Sequence, residues 1–518
     1  MDEHRLVASK QINSVSFDQP FSSFDYIDDN HLSGNLAIAR LFSLARSEKT
    51  RTLIVEKIDA AGIIADENRE IKSYFNDYRM ADLKRISFWG NDSQGTNAAV
   101  SKTAHCIGYA ILKHDVVPSK GYTQWHIFEA VFKKYPHPHN CVPSPMKYDV
   151  TFGKTKFQMS GLLYAQQNGL NKACAQVALR SLISRIKMKD ISYRKINDLA
   201  RNVPGLTLNP AAGLNPLQIQ AVLKGLNIKY RDFDYMQGTR SDRKRIPYQK
   251  YVYSGIESGT GALVGFRLYG ERGRHIIPFY GHTFNKDTWA PDADITYFRV
   301  GRRLGYIPSQ NWTSSFLGHD DNFGPNFCVP RLYIPASQVE YVVELLAPGI
   351  EFGGAQAEAM ALKFLYSVLN WFSNHDEYLR RNRWLGRLAS NAADQRIVLR
   401  AIAIDKRLYI KHLSNEKDWM QNAEKRSTVR ILDKLLPRNL YVVEISIPQL
   451  FPANERKLGD IVLDGTIRID TSGKNSSNFV FVRLPGSYLF SLSNNAEQSF
   501  LHVPSDIVSH FPLIQLQD

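Results

Sequence analysis

Cysteine is scarce in this chain. Four cysteines occur among its 518 residues, namely Cys106, Cys141, Cys174 and Cys328. No two of them form a C-x-x-C pair or the spacing that is typical of a zinc site. The pattern argues against a disulfide-stapled secreted scaffold and is typical of a reduced, intracellular protein.

Long apolar runs are missing as well. The most apolar stretch, residues 357–372, is interrupted by Glu358, Lys363, Ser367 and Asn370, so it predicts an amphipathic helix of a folded core. The first five residues include two acidic ones and no apolar segment follows them, which argues against a secretory signal. We therefore expect a soluble, cytoplasmic protein without membrane insertion.

Acidic residues are fewer than basic ones. The chain has 50 Asp and Glu against 65 Lys and Arg, a net charge of +15. The basic residues form local clusters at 240–245, 299–303 and 380–384. The last cluster combines arginines with Tyr378 and Trp384, which could stack on single-stranded nucleic acid. A nucleic-acid partner thus stays open, but solvated helix faces are favoured because no RNA-binding motif accompanies the charge.

The length exceeds that of a single ordinary core, so several domains are expected. We predict an α+β protein with an N-terminal α/β flanking region (1–147), a catalytic domain (148–345) and a C-terminal helical, then β, region (346–518). The predicted helices are 67–78, 174–186, 216–225 and 357–372. The predicted strands are 53–58, 85–89, 107–112, 128–132, 251–253, 262–266, 275–280, 441–447, 461–464 and 479–482.

The segment around Cys174 is where chemistry is predicted. A polar loop with Gln167, Asn168 and Gly169 runs into Cys174, where an apolar pattern of helical spacing begins. A cysteine in a first helical turn lies beside unpaired N–H groups and the positive dipole end, which favour a thiolate. A preceding glutamine can direct its amide at an oxyanion. The competing interpretation is that Cys174 is a small buried hydrophobe.

The downstream sequence supplies a base and an acid. His275 starts an apolar strand and His282 lies just past its end, while Asp320 and Asp321 end another strand before a Gly-Pro turn. A cysteine peptidase needs an imidazole that takes the thiol proton and a group that orients the imidazole. We favour His275 because it heads the apolar run. Asp320 is favoured over Asp321, since Asp321 shares a strand face with His319.

Two metal sites are also conceivable from residue type. His137, His139 and Cys141 form a short tract, but its prolines favour a surface loop and its spacing matches no zinc pattern. His275, His282, His319 and Asp321 could form another site, which would leave the Gln/Cys segment unexplained. We therefore predict neither a metal nor another cofactor.

Several short motifs now point to a family. Residues 157–182, the Gly-Leu-Asn-Pro-Leu-Gln-Ile run at 213–219 and the segments 275–281 and 319–325 occur in this order. Together they resemble a bacterial group of papain-like proteins, related to the peptidases that remove bacteriocin leaders at double-glycine sites. The resemblance covers residues 100–345. It implies a papain-like core, in which a helical half packs on an antiparallel sheet.

The resemblance implies a role for each matching residue. Cys174 would be the nucleophile, His275 the general base and Asp320 the orienting acid, with His282 and Asp321 as alternates. Gln167 would be the oxyanion donor, although it precedes Cys174 by one residue more than is typical of papain enzymes, which keeps Asn168 as an alternate.

The chain also departs from the bacteriocin peptidases. Alanine follows Cys174 where those peptidases usually carry glycine. The expected function is a cysteine hydrolase, a peptidase or isopeptidase acting on a protein or peptide. A catalytically silent papain-like scaffold for protein binding and a basic nucleic-acid-binding protein remain the alternatives.

Overall fold

Three large β-sheets organise the molecule. The computed structural model describes residues 5, 11–16, 22–32, 34–90, 106–133, 140–143, 146–153, 155–171, 173–209, 212–236, 246–268, 273–284, 298–300, 304–415, 422–451, 455–469, 478–491, 500–504 and 510–516. Helices alternate with the strands along the chain and pack against strands of each sheet. This combination of helices with mainly antiparallel sheets confirms the predicted α+β class.

The first sheet is antiparallel throughout and has the order β1-β2-β3-β4-β5-β8-β7. Its strands are β1 (Gln11–Ser16), β2 (Thr52–Lys57), β3 (Arg79–Trp89), β4 (Cys106–Val117), β5 (Tyr122–Phe132), β7 (Met146–Phe152) and β8 (Thr155–Tyr164). The accompanying helices are α1 (Ser22–Asp29), α2 (Leu36–Ser47) and α3 (Gly62–Tyr74). A 3-10 turn at Pro118–Lys120 joins β4 to β5.

The second sheet has the order β15-β14-β11-β10-β16-β9, again antiparallel, and the short β6 (Asn140–Cys141) pairs with β11. Its strands are β9 (Tyr230–Asp234), β10 (Ala262–Arg267), β11 (Arg274–Thr283), β14 (Ser315–Asp320), β15 (Gly324–Pro330) and β16 (Val339–Leu345). The helices of this region are α4 (Cys174–Lys187), α5 (Tyr193–Ala200), α6 (Pro216–Gly225) and α7 (Tyr248–Glu257).

The third sheet has the order β12-β13-β17-β18-β20-β21-β22-β23, and of these pairs β13 and β17 run parallel. Its strands are β12 (Phe298–Val300), β13 (Leu304–Pro308), β17 (Val398–Asp405), β18 (Asn439–Ser446), β20 (Gly459–Asp464), β21 (Phe479–Leu484), β22 (Ser487–Ser491) and β23 (Phe500–Pro504). A 3-10 turn, Ser309–Trp312, follows β13, and β19 (Arg456–Lys457) pairs with β24 (Phe511–Pro512). Five helices are described here: α8 (Gly354–Ser373), α9 (Asp376–Arg381), α10 (Arg383–Ala393), α11 (Lys406–Asn415) and α12 (Asn422–Leu435).

Helix α4 lies between the first and second sheets, where it contacts β8 and β11. Every residue from 175 to 185 is buried, so the helix is enclosed on all sides rather than on one face. Leu179 and Leu182 belong to one apolar core with Leu163 of β8 and Ile276 of β11. Burying each such side chain contributes about 1.5–3 kcal/mol. The start of α4 is thereby fixed against the second sheet.

A buried ion network also holds α4. Its Arg180 donates to Glu129 of β5 at 2.6 Å and to both oxygens of Asp190, at 3.0 and 2.8 Å. Arg5 donates to the same two carboxylates at 2.6 and 2.9 Å. The four side chains are 0–2% exposed, and their charges cancel. The network fixes the position of α4 along β5.

Several predicted elements are confirmed. Helix α4 begins at Cys174, and α6 begins after an Asn215 cap whose side chain forms a capping box with Gln218. One prediction is wrong: residues 251–253 lie in α7 and not in a strand. The predicted helix 67–78 is displaced, because α3 ends at Tyr74 and Arg79 already starts β3.

The sheets cross the predicted domain boundaries. Strand β8 belongs to the first sheet although it lies after residue 147, and β12 and β13 belong to the third although they precede residue 346. The strands of the two predicted flanking regions pair mainly in antiparallel fashion. Among the described residues, no helix is both long and apolar enough to cross a membrane.

Candidate functional site

Cys174 is the first residue of α4 and is half-buried. The residue before it, Ala173, has no side-chain oxygen, so no side chain at that position caps the helix. A helix that starts in this way keeps the N–H groups of its first turn as donors. The sulfur therefore lies at the end of a helix where an anion is stabilised.

His275 lies near the start of β11, where its imidazole interacts with the side chain of Cys174. Its Nε2 is 3.2 Å from Oδ2 of Asp320, and its ring packs edge-on against Phe266 of the neighbouring strand. Burial alone would lower the pKa of His275. The bonds to Asp320 and to Cys174, with the charges of both aspartates, instead raise it to about 10. The ring is therefore an imidazolium at neutral pH.

Asp320 is the last residue of β14 and is oriented by its own turn. Its Oδ1 accepts the backbone N–H groups of Asn322 and Phe323 at 2.8 and 3.2 Å, which leaves Oδ2 to the imidazole. Burial raises the pKa of Asp320, but the bond and charge of His275 lower it below its ordinary value. Asp320 is thus an ionised acceptor held in one orientation.

Asp321 also approaches the same nitrogen, with its Oδ1 3.5 Å from Nε2 of His275. Burial, opposed by the charge of His275 and assisted by that of Asp320, raises the pKa of Asp321 to about 6. Both acids named from the sequence therefore face the imidazole. Asp320 lies closer and is the one held by backbone N–H groups.

The glutamine and asparagine before α4 have different surroundings. Gln167 is partly exposed, and its Nε2 donates to Oδ1 of Asn322 at 3.1 Å. Asn168 is buried, and its Oδ1 accepts the N–H groups of Leu170 and Asn171 within its own loop. Gln167 therefore borders the turn that carries the acids, while Asn168 shapes the loop.

Gln166, the remaining polar residue of this run, is a bridging residue. Its Oε1 accepts from the backbone of Ile127, and its amide exchanges hydrogen bonds with Asn35, each at 3.1 Å. These bonds join the loop before α4 to β5 and α2.

His282 does not join this group. Its Nε2 is 2.6 Å from Oε1 of Glu257, and it pairs across the strands with Cys141. The simple alternation of faces fails along β11, because the register with β14 shifts between Phe279 and Gly281. The structure thus brings Cys174, His275 and Asp320 together and places the alternate base elsewhere.

The four-residue metal set considered above does not assemble. His319 is buried, its Nδ1 accepts the N–H of Asn326, and burial lowers its pKa to about 3. Among the described residues, two groups of potential ligands come together, namely His275 with Asp320 and Asp321, and His282 with Cys141 and Glu257. His137 and His139 of the other tract lie outside the described residues.

In the basic cluster at 380–384, arginine side chains cover the ring of Trp384. The guanidinium groups of Arg383 and Arg387 lie over the Trp384 ring, 5.3 and 4.9 Å from its centre. A ring covered in this way offers less surface for a stacked base. Residues 240–245 and 301–303 of the other clusters lie outside the described part of the chain.

Replacing Asp321 by asparagine is expected to stabilise the protein at neutral pH. A raised carboxyl pKa means that the folded state resists ionisation, so stability is full below about pH 4 and is lost as the pH rises through about 6. The substitution should restore about 2–3 kcal/mol at pH 8 and little at pH 4. Thermal melts at both pH values test this, with exposed Asp198→Asn as the control. An equal gain at both pH values would contradict it.

Two residues that belong to these side-chain clusters were not predicted from the sequence. Asn322 links Gln167 to the Asp320 turn, and its place directly after the acid pair was the signal for it. Glu257, the partner of His282, was missed because its segment had been predicted to begin with a strand.

Comparisons of the chain with protein-family models, with curated proteins and with solved structures found no match.

Proposed function

We propose that this protein is a cysteine hydrolase of the papain-like type that cleaves peptide or isopeptide bonds. The observation that carries the proposal is the meeting of Cys174 with an imidazole whose Nε2 lies 3.2 Å from a carboxylate. Nucleophile, base and orienting acid are the three groups that such chemistry needs.

The surrounding architecture supports the same proposal. The nucleophile begins a buried helix, while the base and the acid lie on neighbouring strands of the antiparallel sheet against which that helix packs. In a papain-like core the nucleophile likewise lies on a helix, and the base and the acid lie on an antiparallel sheet. Helix and strands are rigid supports, which keep reacting groups within the narrow tolerance that catalysis requires.

The mechanism follows from the charges. The Cys174 thiolate attacks the carbonyl carbon, and the carbonyl oxygen becomes an oxyanion, stabilised by the Gln167 amide and the Cys174 backbone N–H. The His275 imidazolium then gives its proton to the leaving amine, and a thioester remains. The neutral imidazole takes a proton from a water molecule as that water attacks the thioester. The carboxylic acid product is then released and the Cys174 thiolate is restored. Asp320 keeps the ring oriented throughout.

Replacing Gln167 by alanine is expected to lower kcat/KM by about 10²–10³-fold, the usual cost of one oxyanion donor. The alkylation rate of Cys174 should change little, because alkylation forms no oxyanion. Hydrolysis of a peptide library and iodoacetamide labelling together test this. Asn168→Ala is the comparison. If it alone removes hydrolysis while the fold is intact, Asn168 is the donor.

The proposal itself is tested by residue-resolved labelling at neutral pH, with an iodoacetamide or epoxide probe. We expect Cys174 to react at least about tenfold faster than buried Cys106 and exposed Cys328. New protein N-termini or released isopeptide products should appear in cells with the wild-type chain. They should be absent with Cys174→Ala and present with Cys328→Ala.

Two results would sink the proposal. A Cys174 that reacts no faster than Cys106 and Cys328 would leave a protein-binding scaffold as the better description. Products that persist with Cys174→Ala would assign the cleavage to another protein. Nucleic-acid binding that weakens steeply with salt, independently of Cys174, would favour the basic clusters instead.

A further inference from the structure

A second cysteine, histidine and acid meet outside the candidate site. Cys141 of β6 pairs across the strands with His282 of β11, and its sulfur lies within 4.8 Å of ligand atoms of His282 and Glu257. Gly281 permits this approach, because an added Cβ there would lie 2.9 Å from the Cys141 carbonyl oxygen. Cys141 is half-buried, while His282 and Glu257 are each only 1% exposed.

Both nitrogens of the His282 ring face acceptors. Nε2 is 2.6 Å from Oε1 of Glu257, and Nδ1 is 3.0 Å from the backbone oxygen of Thr283. The other oxygen of Glu257 accepts Arg400 of β17 at 2.8 Å. A carboxylate held by an arginine stays ionised, so each ring nitrogen must carry a proton to donate. The ring is then a fixed cation beside the Cys141 sulfur.

The titration of these groups agrees with this arrangement. Burial raises the pKa of Glu257, but the charge of Arg400 and the bond to His282 lower it to about 2. Burial lowers the pKa of His282, but Cys141 and Glu257 raise it to about 10. Tyr253 of α7 also borders the ring, with the two ring centres 4.9 Å apart.

The same contacts argue against a metal ion at this position. A doubly protonated imidazole has no lone pair for a metal, and both oxygens of Glu257 are already engaged. Arg400 adds a positive charge that a second cation would have to face. Turnover is disfavoured too, because an imidazolium held at both nitrogens cannot readily act as a base for water.

We propose that Cys141 is a second reactive thiolate site, which is modified once by a small oxidant of the peroxide class. The Cys141 sulfur attacks one peroxide oxygen, the S–O bond forms and the O–O bond breaks. The departing hydroxide takes a proton from solvent and leaves as water, while His282 stays protonated. The product is a sulfenic acid, in which sulfur is oxidised and the peroxide oxygens are reduced.

The enclosure of the site sets the size of its reactant. His282, Glu257 and Tyr253 are each 1% exposed, and Cys141 is the half-buried residue of the group. A small molecule such as hydrogen peroxide suits this access better than a polypeptide does. The proposal does not depend on the hydrolase function, since it uses none of the residues around Cys174.

The test treats the full-length wild-type protein with hydrogen peroxide at pH 6.5, traps sulfenic acid with dimedone and maps each cysteine by mass spectrometry. We expect Cys141 to be trapped at least about tenfold faster than exposed Cys328. Trapping at or below the Cys328 rate would overturn the proposal. Because each cysteine is read separately, reaction at Cys174 is not confused with it.

Alkylation of the wild type makes the test independent of any variant. At pH 6.5, iodoacetamide should alkylate Cys141 at least about tenfold faster than exposed Cys328. Equal rates at the two cysteines would overturn the proposal. If zinc protects Cys141 from alkylation and a chelator reverses this protection, the proposal is also overturned, in favour of a metal site.

The positioning role of Glu257 is tested by Glu257→Gln, which keeps the side-chain shape but removes its charge. We expect both the trapping of Cys141 by dimedone and its alkylation by iodoacetamide to slow about tenfold. Arg69→Gln, which also removes a charge but on an exposed side chain of α3, is the control and should change neither. A folded Glu257→Gln protein with unchanged Cys141 rates would contradict this role.

Discussion

Replacing His275 by alanine is expected to lower kcat/KM for hydrolysis by about 10³-fold, the scale on which a lost general acid–base acts. The same change should slow alkylation of Cys174 at pH 6 by about 10²-fold. His275 supplies the cation beside the sulfur, and without it only the helix end favours a thiolate. Fluorogenic peptide cleavage and site-resolved iodoacetamide labelling measure the two effects.

His282→Ala is the matched control, since it removes a second buried histidine from the same strand. It should disturb the fold comparably but leave the alkylation of Cys174 unchanged within about threefold. Equal losses at Cys174 in both variants would mean that strand damage, and not the imidazole, explains the result. Circular dichroism of both variants establishes that they are folded.

The protonation of His275 has a further consequence with a definite sign. Its pKa rises from the ordinary 6.5 to about 10, so the folded state binds this proton more tightly than the unfolded chain does. The corresponding stability is complete below about pH 6.5 and is lost as the pH rises towards 10. Hydrolysis should fall over the upper part of that range, because the leaving amine then lacks its proton donor.

Replacing Arg180 by methionine is expected to cost about 3–5 kcal/mol, the largest stability effect that we predict. The substitution leaves Glu129 and Asp190 with Arg5 as the remaining cation of this group, so one buried carboxylate charge is uncompensated. The transition that carries α4 should shift to lower urea concentration. Hydrogen exchange within α4 identifies that transition in a chain with several sheets.

Arg194→Met is the control for this experiment, because Arg194 is exposed on the neighbouring α5. It should change stability by less than about 0.5 kcal/mol. If Arg180→Met is equally harmless, the buried network does not hold α4. The labelling rate of Cys174, measured on the folded fraction, then shows whether the start of the helix has moved.

Local pattern was sufficient for much of the secondary structure. The spacing of apolar residues after Cys174 and the Asn215-Pro216 start are signals carried by a few neighbouring residues, and both helices begin where predicted. The prediction of a strand at 251–253 was wrong because it also relied on local pattern alone. Its Tyr-Val-Tyr run has the composition of a strand, but burial of a whole turn of α7 against the second and third sheets decides its structure.

In the candidate site, too, some features were visible in the sequence and others were decided only by the fold. Cys174, His275 and the acid pair were predictable as residue types that such chemistry requires, in a suitable order along the chain. The sequence favoured His275 over His282 only because His275 heads the apolar run, and the shift of strand register near Gly281 was not visible in it. Nor was the pairing of His282 with Glu257 and Cys141, which lie 25 and 141 residues apart from it in sequence.

The sequence by itself determined the α+β class, the start of the cysteine-bearing helix and the chemical types of the candidate residues, because these depend on short-range periodicity and composition. Only the tertiary structure decided which partners meet, how Asp320 and Asp321 share one imidazole and where the buried arginines find their acids. These contacts join segments that are far apart in the chain. Their energies come from burial and charge in three dimensions, which a linear pattern does not contain.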